Sequence, residues 1–428
     1  MSSIDLEETA KKLGIDYFLV SYSPLNADSR CSLIPKKAIK MVQDKGCGMP
    51  AAMFFKSSPA EPEMVIKPDP STLIQLPWKP NFGWLSSDLY MYNKPYEQCP
   101  RDCLKRQIQD AQSMGYFMKS GIEPEFMLLT KDGKRLYDEC DMQQPMSLQD
   151  PHSTLRHSNF LCELADCMEK IGWNPYEIDH ESSCCQYEIN FDYVDCLKMS
   201  DRQMFMKFMI KQLAEIHGVK ASFMAVPLPE VLCANGLHTN ISLWNSNSTK
   251  NLFEDDTDEI GLSSLGYNFI GGLLNNIESA CALYCSTVNS YKRLNRGVWC
   301  PNKISWGGNN RSVLIRVPVS DRIELRLPDA AANPYLMHAA ILSTGLDGIK
   351  NKTDPGPRVD FDVQNYSGQF KKVPMSLDAA LNKLESNEFL RESLGQGIID
   401  GFLHMKRKEW DSFMSQITQW EINYYSNI

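Results

Sequence analysis

Apolar positions recur along this chain with two periods, and the switches between them mark out its elements. Residues 4–13 show helix-spaced apolar positions, 16–22 a strand pattern, and 36–45 a second helix ended by Gly46. Gly46-Cys47-Gly48 follows that helix rather than a strand, which argues against a dinucleotide-binding loop. Residues 57–80 are proline-rich and extended, with a turn at Pro68-Asp69-Pro70-Ser71. A helix is predicted over 100–120, with Cys103, Ile108, Ala111 and Met114 on its buried side. Further helices are predicted over 153–172, 201–217, 261–285 and 330–348, the last two apolar enough to be buried, and strands over 121–129, 186–191, 221–224 and 235–244. Residues 358–373 follow neither period. From 376 onward the chain reads as helical, with Leu384, Leu390, Leu394, Ile398, Phe402 and Trp410 as packing positions. A chain of 428 residues exceeds one ordinary core. The expected organisation is α+β, with a small domain over 1–103 and a larger one over 104–428.

Several predicted strands carry a wholly polar face. In Arg322-Ile323-Glu324-Leu325-Arg326 the charges fall at alternate positions, so all three leave one side and Ile323 and Leu325 the other. Six arginines (Arg293, Arg296, Arg311, Arg316, Arg322, Arg326) and one glutamate lie between Lys292 and Lys350. A solvated edge strand would fit this pattern; so would a site that grips carboxylate or phosphate, with Glu324 as a cation ligand. Glu123 and Glu125 share one face of an apolar strand, where they would repel unless a cation or arginine satisfied them. Gln186, Glu188 and Asn190 share another face, and His238, Asn240 and Ser242 a third. His180-Glu181 does not open a zinc-protease helix, because Cys184 stands where the second histidine is needed. Carboxylates and an imidazole beside many arginines suit divalent cations clamping a nucleoside triphosphate, and hence metal-dependent phosphoryl chemistry on a carboxylate.

The formal net charge of −9 argues against a nucleic-acid partner. No apolar run is long enough to span a membrane, and the N-terminus lacks a basic-then-apolar leader, so a cytoplasmic location is expected. The fourteen cysteines include no Cys-x-x-Cys pair. Cys184-Cys185 would form a strained disulfide and are expected as free thiols.

These motifs, taken together, resemble the glutamine synthetase family over nearly the whole chain. The resemblance is carried by Gly121-Ile-Glu-Pro-Glu-Phe, by His180-Glu181 with Gln186-x-Glu188, by Asn235-Gly-Leu-His238 and by Asn289-Ser-Tyr-Lys-Arg293-Leu. It continues through Asn310-Arg311-Ser, Ile315-Arg316, Arg322-Ile-Glu324-Leu-Arg326-Leu-Pro-Asp, Ala332-Asn-Pro-Tyr and Gly345-Leu-Asp-Gly-Ile-Lys-Asn. Ile74-Gln-Leu-Pro-Trp-Lys-Pro and Val298-Trp299-Cys300-Pro301-Asn302 are most similar to the γ-glutamylmethylamide synthetase branch, which joins glutamate to methylamine. The resemblance implies a β-grasp-like N-terminal domain on a catalytic domain built of a curved antiparallel sheet and flanking helices. It implies homo-oligomers, commonly dodecamers, and a reaction in which ATP phosphorylates the γ-carboxylate of glutamate before an amine attacks. Glu125, Glu181 and Glu188 would hold one Mg2+ or Mn2+, and Glu123, His238 and Glu324 a second. Arg293 and Arg326, with Gly236 and Trp299, would bind the substrates. Arg311 and Arg316 would hold phosphates, with Ser242, Asn240 and Arg322 near the nucleotide, and Arg311, Glu324 and Arg293 would act in catalysis.

The departures from the family pattern bear on the amine and the acid. Trp299 stands where the family has a glutamate that covers the site, and an aromatic wall there favours an alkylated amine over ammonium. Lys56 falls where a neighbouring subunit's aspartate is expected, Asn240 replaces a histidine, and Cys233-Ala234 replaces a pair lining the glutamate pocket. Three readings follow: a glutamate–small-amine ligase, an ordinary glutamate–ammonia ligase, and a non-catalytic structural or regulatory homologue.

Overall fold

The structure, a computed structural model, describes residues 4–51, 54, 60–142, 148–297, 299–366 and 368–428. Lys56 and Val298 lie outside the described residues. The first sheet comprises β1 (Tyr17–Tyr22), β2 (Arg30–Pro35), β3 (Cys47–Met49), β4 (Met64–Pro68), β5 (Ile74–Gln75), β6 (Phe82–Met91) and β7 (Lys94–Pro95). Its order is β2-β1-β6-β4-β3, with β1 and β6 parallel at the centre, as a β-grasp arrangement requires. Helices Leu6–Leu13 and Lys36–Lys45 add Leu6, Ala10, Ile39 and Val42 to the core formed with Phe18, Val20, Ile66, Leu85 and Leu89. Gly46-Cys47-Gly48 runs into β3 and forms no nucleotide loop.

The second sheet comprises β8 (Tyr116–Leu129), β9 (Pro175–His180), β10 (Gln186–Phe191), β11 (Val194–Asp195), β12 (Lys220–Ser222), β13 (Leu237–Asn245), β14 (Trp306–Gly307), β15 (Ile315–Val319) and β16 (Arg322–Leu325). Its order is β14-β15-β16-β13-β8-β10-β9, antiparallel except between β14 and β15. One face presents Ile122, Phe126, Tyr187, Ile189, Leu237, Ile241, Ile323 and Leu325 to the main core, all buried. That core is closed by helices Cys196–Ile216, Ser264–Tyr284 and Pro334–Asn351. The last two cross closely because Gly272 and Gly348 meet there: a Cβ on Gly272 would stand 2.2 Å from the Thr344 carbonyl oxygen. No helix among the described residues is long and apolar enough to cross a membrane.

The structure corrects several boundaries. The helix expected over 100–120 is Pro100–Ser113, and residues 116–120 open β8. Met114 is therefore exposed, whereas Arg101, Leu104 and Gln107 are buried. The helix expected over 153–172 is two, Pro151–Arg156 and Ser158–Lys170, broken at His157, whose ring nitrogen is 2.5 Å from the Tyr187 hydroxyl. The helix expected from 201 begins at Cys196 behind an Asp195 cap, and the one expected from 330 begins at Pro334 behind an Asn333 cap. β16 lies between β13 and β15, so Arg322–Leu325 is not the solvated edge strand its charges allowed. Cys184 and Cys185 are free thiols.

Candidate active site

The opposite face of the second sheet gathers the polar residues, and strand register explains how. Glu188 on β10 is paired with Glu125 on β8, and His238 on β13 with Glu123. Glu324 on β16 is paired with Asn240 and, on its other side, with Arg316 of β15. Because side chains alternate, these pairings place all seven on one face. Glu123, Glu125, Glu188, His238 and Arg316 open into a cavity of about 540 Å³ also lined by Gln149, Tyr176, Glu177, Asp179, Glu181, Cys233, Ala234, Arg293, Trp299, Cys300, Arg311, Arg322 and Arg326. A second cavity of about 410 Å³ lies along the adjoining stretch of the same strands and is lined by Asn240, Ser242, Trp244, Tyr193 and Lys119. Glu123, Tyr176, Asn190 and Arg322 border both. The expected site residues thus divide: Asn240 and Ser242 face the second cavity, the arginines and the acidic residues other than Glu324 the first.

Two groups of donor atoms each lie within 4.8 Å of one another: Glu123, His238 and Glu324, and Glu125, Glu188 and His238. The first is the expected trio. In the second, His238 stands where Glu181 was expected; Glu181 lines the cavity but belongs to neither group among the described residues, and its Oε2 accepts from the Ser182 backbone N–H at 3.2 Å. Burial, then the neighbouring Glu181, pushes the Glu125 carboxyl up to about 8, even though its Oε2 accepts from Gln186 Nε2 at 2.8 Å and from the Gly236 N–H at 3.0 Å. Burial, with Glu123 and Glu125 beside it, also raises Glu188. His238 is held neutral by burial and by Arg326. Carboxylate oxygens with a neutral imidazole are a donor set for Mg2+ or Mn2+, and a cation would relieve the repulsion that the raised carboxyls record.

Glu324 differs from those carboxyls. Burial alone would raise it, but the charges of Arg326 and Arg316 hold it below its ordinary range. Arg326 Nη1 donates to Glu324 Oε1 at 2.6 Å and Arg316 Nη1 to Oε2 at 2.8 Å. Arg326, 2% exposed, keeps its Nε without a hydrogen-bond partner among the described residues. Arg293 is anchored through its Nη1 to the Leu327 carbonyl at 2.7 Å and its Nη2 to the Arg326 carbonyl at 3.1 Å. Gly236 is required by crowding: a Cβ there would stand 2.9 Å from Glu125 Oε1 and 3.0 Å from Arg293 Nη2. Asn240 spends both ends of its amide, donating to Glu123 Oε1 at 2.7 Å and accepting from Arg322 Nε at 3.0 Å. The Ser242 hydroxyl accepts from the Trp244 indole at 2.9 Å. Trp299, half-exposed and in the left-handed region (φ 55), borders the 540 Å³ cavity together with exposed Arg311.

Sequence reasoning missed the wall formed by β9. Tyr176, Glu177 and Asp179 line the first cavity there, and a signal existed: Glu177, Asp179 and Glu181 alternate at the strand period. Leu148 and Gln149 carried no such signal, since they reach the cavity from a turn with Gln149 in the left-handed region.

Comparison with known proteins places this geometry. The glutamine synthetase catalytic-domain model matches residues 97–425. A glutamine synthetase of Rhizobium meliloti (strain 1021) is 39% identical over 429 residues, covering 98% of each chain. A glutamate–methylamine ligase of Methyloversatilis universalis is 34% identical over 443 residues, covering 99% of each. The solved structure of GmaS without ligand superposes with a TM-score of 0.95 at 41% identity, over 99% of this chain and 100% of that one, and a GmaS–ADP complex gives the same values. The chain belongs to the glutamine synthetase family and is one of its ATP-dependent carbon–nitrogen ligases.

Proposed function

We propose that this enzyme joins the γ-carboxylate of glutamate to a small primary amine of methylamine size, through a γ-glutamyl phosphate made from ATP. The observation that carries this reading is Trp299, an indole at the mouth of a cavity otherwise lined by carboxylates and arginines. An alkylammonium gains from an apolar wall; ammonium does not. Similarity to the methylamine ligase and to GmaS supports it. The alternative, ammonia as the nitrogen donor, is favoured by one observation: the Rhizobium meliloti glutamine synthetase shares more residues with this chain than the methylamine ligase does, 39% against 34%.

In this reading Glu125, Glu181 and Glu188 hold one Mg2+ or Mn2+ and Glu123, His238 and Glu324 the other; bound there, the cations would neutralise phosphate charge. The unpartnered Nε of Arg326 and the anchored guanidinium of Arg293 receive the glutamate carboxylates. Arg311 and Arg316 meet the phosphates, stabilising charge as the phosphoryl group moves. Arg322 and Ser242, with Asn240 holding Arg322, border the nucleotide. We further propose a division into domains at residue 103, a cytoplasmic homo-oligomer of the dodecameric kind, and no nucleic-acid partner. Phosphate release from ATP with glutamate across ammonium, methylamine, ethylamine and larger amines tests the central claim. Preference for methylamine is expected. Preference for ammonium would return the enzyme to glutamine synthesis, and silence with every amine would point to another acid.

A further inference from the structure

Arg316 reaches the reaction cavity from β15, and two groups fix its guanidinium. Glu324 Oε2 accepts from Nη1 at 2.8 Å. The other edge of the fork is closed by one oxygen: Asn309 Oδ1 accepts from both Nε at 3.0 Å and Nη2 at 2.5 Å. Of the five N–H donors of a guanidinium, three are thus held, leaving one on each Nη nitrogen. Asn309 itself sits on a braced loop. Its neighbour Asn310 donates to the carbonyls of Val359 at 3.1 Å and Phe361 at 3.0 Å and accepts from the Ser312 N–H at 2.9 Å.

We propose that Asn309 is a positioning residue for the phosphoryl-transfer step: it sets the plane of Arg316 so that the two remaining N–H groups meet the nucleotide phosphates. Its chemistry suits that task. A second carboxylate beside Glu324 would leave Arg316 with excess negative charge facing the phosphates, whereas an amide oxygen orients the fork without adding any. Glu324 alone would fix one corner and leave the group free to swing about it. Asn309 touches no substrate in this account; it acts only through Arg316. The proposal rests on the assignment of Arg316 to the nucleotide made above.

The test is a double-mutant cycle with Asn309→Ala and Arg316→Ala, reading KM for ATP and for glutamate separately. Asn309 is exposed, so its replacement is expected to leave the thermal midpoint unchanged. N309A should raise the ATP KM about 3- to 10-fold, the scale of losing one ordinary hydrogen bond at an exposed site, and leave the glutamate KM alone. In the R316A background the same substitution should have no further effect. An additive effect in the double variant, or an ATP KM untouched by N309A while R316A raises it, overturns the proposal. An ATP KM untouched by R316A instead overturns the assignment of Arg316 itself.

Discussion

Two buried clusters of charge in this molecule look alike in composition and differ in how they are balanced. Arg101, at the start of the helix after the first sheet, donates from Nε and Nη2 to Asp201 at 2.9 Å, from Nη1 to Asp88 at 2.9 Å and from Nη2 to Asp69 at 2.8 Å. Asp201 is tied in turn to the Tyr335 hydroxyl at 2.7 Å. Burial would lower the Arg101 pKa, but Asp201 and Asp88 more than offset it. The cluster joins the first sheet to two helices of the main core, and every Arg101 nitrogen has a partner. In the active-site cavity burial instead raises both Glu125 and Glu188, with Glu181 adding to the first and Glu123 and Glu125 to the second, and Arg326 keeps a buried nitrogen without a partner among the described residues. A saturated cluster needs nothing further and is architecture. A cluster left in mutual repulsion is one waiting for a cation and an anion.

The largest effect should come from breaking the saturated cluster. Arg101→Met leaves Asp201 and Asp69 without their cation, and Asp88 with Lys105 alone, and should cost about 3–5 kcal/mol of stability. Denaturant unfolding would show it, while any protein that remains folded should keep its KM values. A loss below about 1 kcal/mol would mean that the cluster is decoration. The repulsive cluster should respond in the opposite sense. Glu125→Gln removes a carboxyl that ionises against its neighbours as pH rises through about 8, so without cation the variant should be at least as stable as the parent above that pH. Cation-induced stabilisation, about 2.7 kcal/mol at a hundredfold excess over Kd for the parent, should largely vanish.

The pH dependence separates the two clusters further. Glu125 is raised in the folded state, so its contribution to stability is fully present below the ordinary carboxylate pKa and is lost as pH rises through about 8. Asp69 moves the other way: burial would raise it, yet Arg101 and Ser71 bring it below its ordinary value, so its contribution is present above pH 4 and is lost in acid. Cation-free protein should therefore lose stability from pH 5 to 8.5, by at most about 1.4 kcal/mol per pH unit for each proton released, and Mg2+ should abolish the loss. A flat profile in chelator would show that the carboxyls are not in conflict.

How far each cluster could be read in the sequence follows from the distance over which it is assembled. Glu123 and Glu125 were legible because two carboxylates at alternate positions interrupt an apolar strand, and Arg322, Glu324 and Arg326 for the same reason. Which strand would stand beside which was not legible: the pairing of Glu188 with Glu125, and the arrival of His238 in both donor groups, depend on register between segments far apart in the chain. Arg101 was beyond reach. Its partners lie 13, 32 and 100 positions away, and in a helix read for apolar spacing an arginine counts as surface. The overrun of that helix has the same origin, because Met114, Tyr116 and Met118 continue an apolar pattern that the backbone has already changed from helix to strand. Strand β9 was missed because two of its six residues, Glu177 and Asp179, are acidic and Tyr176 and Glu177 are exposed to solvent.

Trp299 turns the comparison toward specificity. One methyl group in an apolar pocket is worth about 1–3 kcal/mol, or 10- to 200-fold in kcat/KM. Trp299→Ala should cut the preference for methylamine over ammonium by at least tenfold, and Trp299→Glu, which restores the family's carboxylate, should move it toward ammonium. Unchanged amine ratios in both would remove Trp299 from the amine pocket and leave the ammonia reading the stronger.

The smallest effect is expected where a saturated group stands inside the unsaturated site. Asn240 satisfies Glu123 with one end of its amide and Arg322 with the other, and so bridges the two cavities. Asn240→Leu keeps the volume and removes both bonds. The residue is only half-buried, so water can replace part of what is lost, and the cost should be about 1 kcal/mol, a few-fold in affinity. Because one bond steadies a cation ligand and the other the nucleotide's arginine, titration calorimetry should show ADP binding weakened in both conditions, and more so in the presence of Mg2+ than in chelator. Equal weakening in both conditions would mean that Asn240 serves Arg322 alone. No weakening in either would mean that the bridge closes only while the cavities are empty.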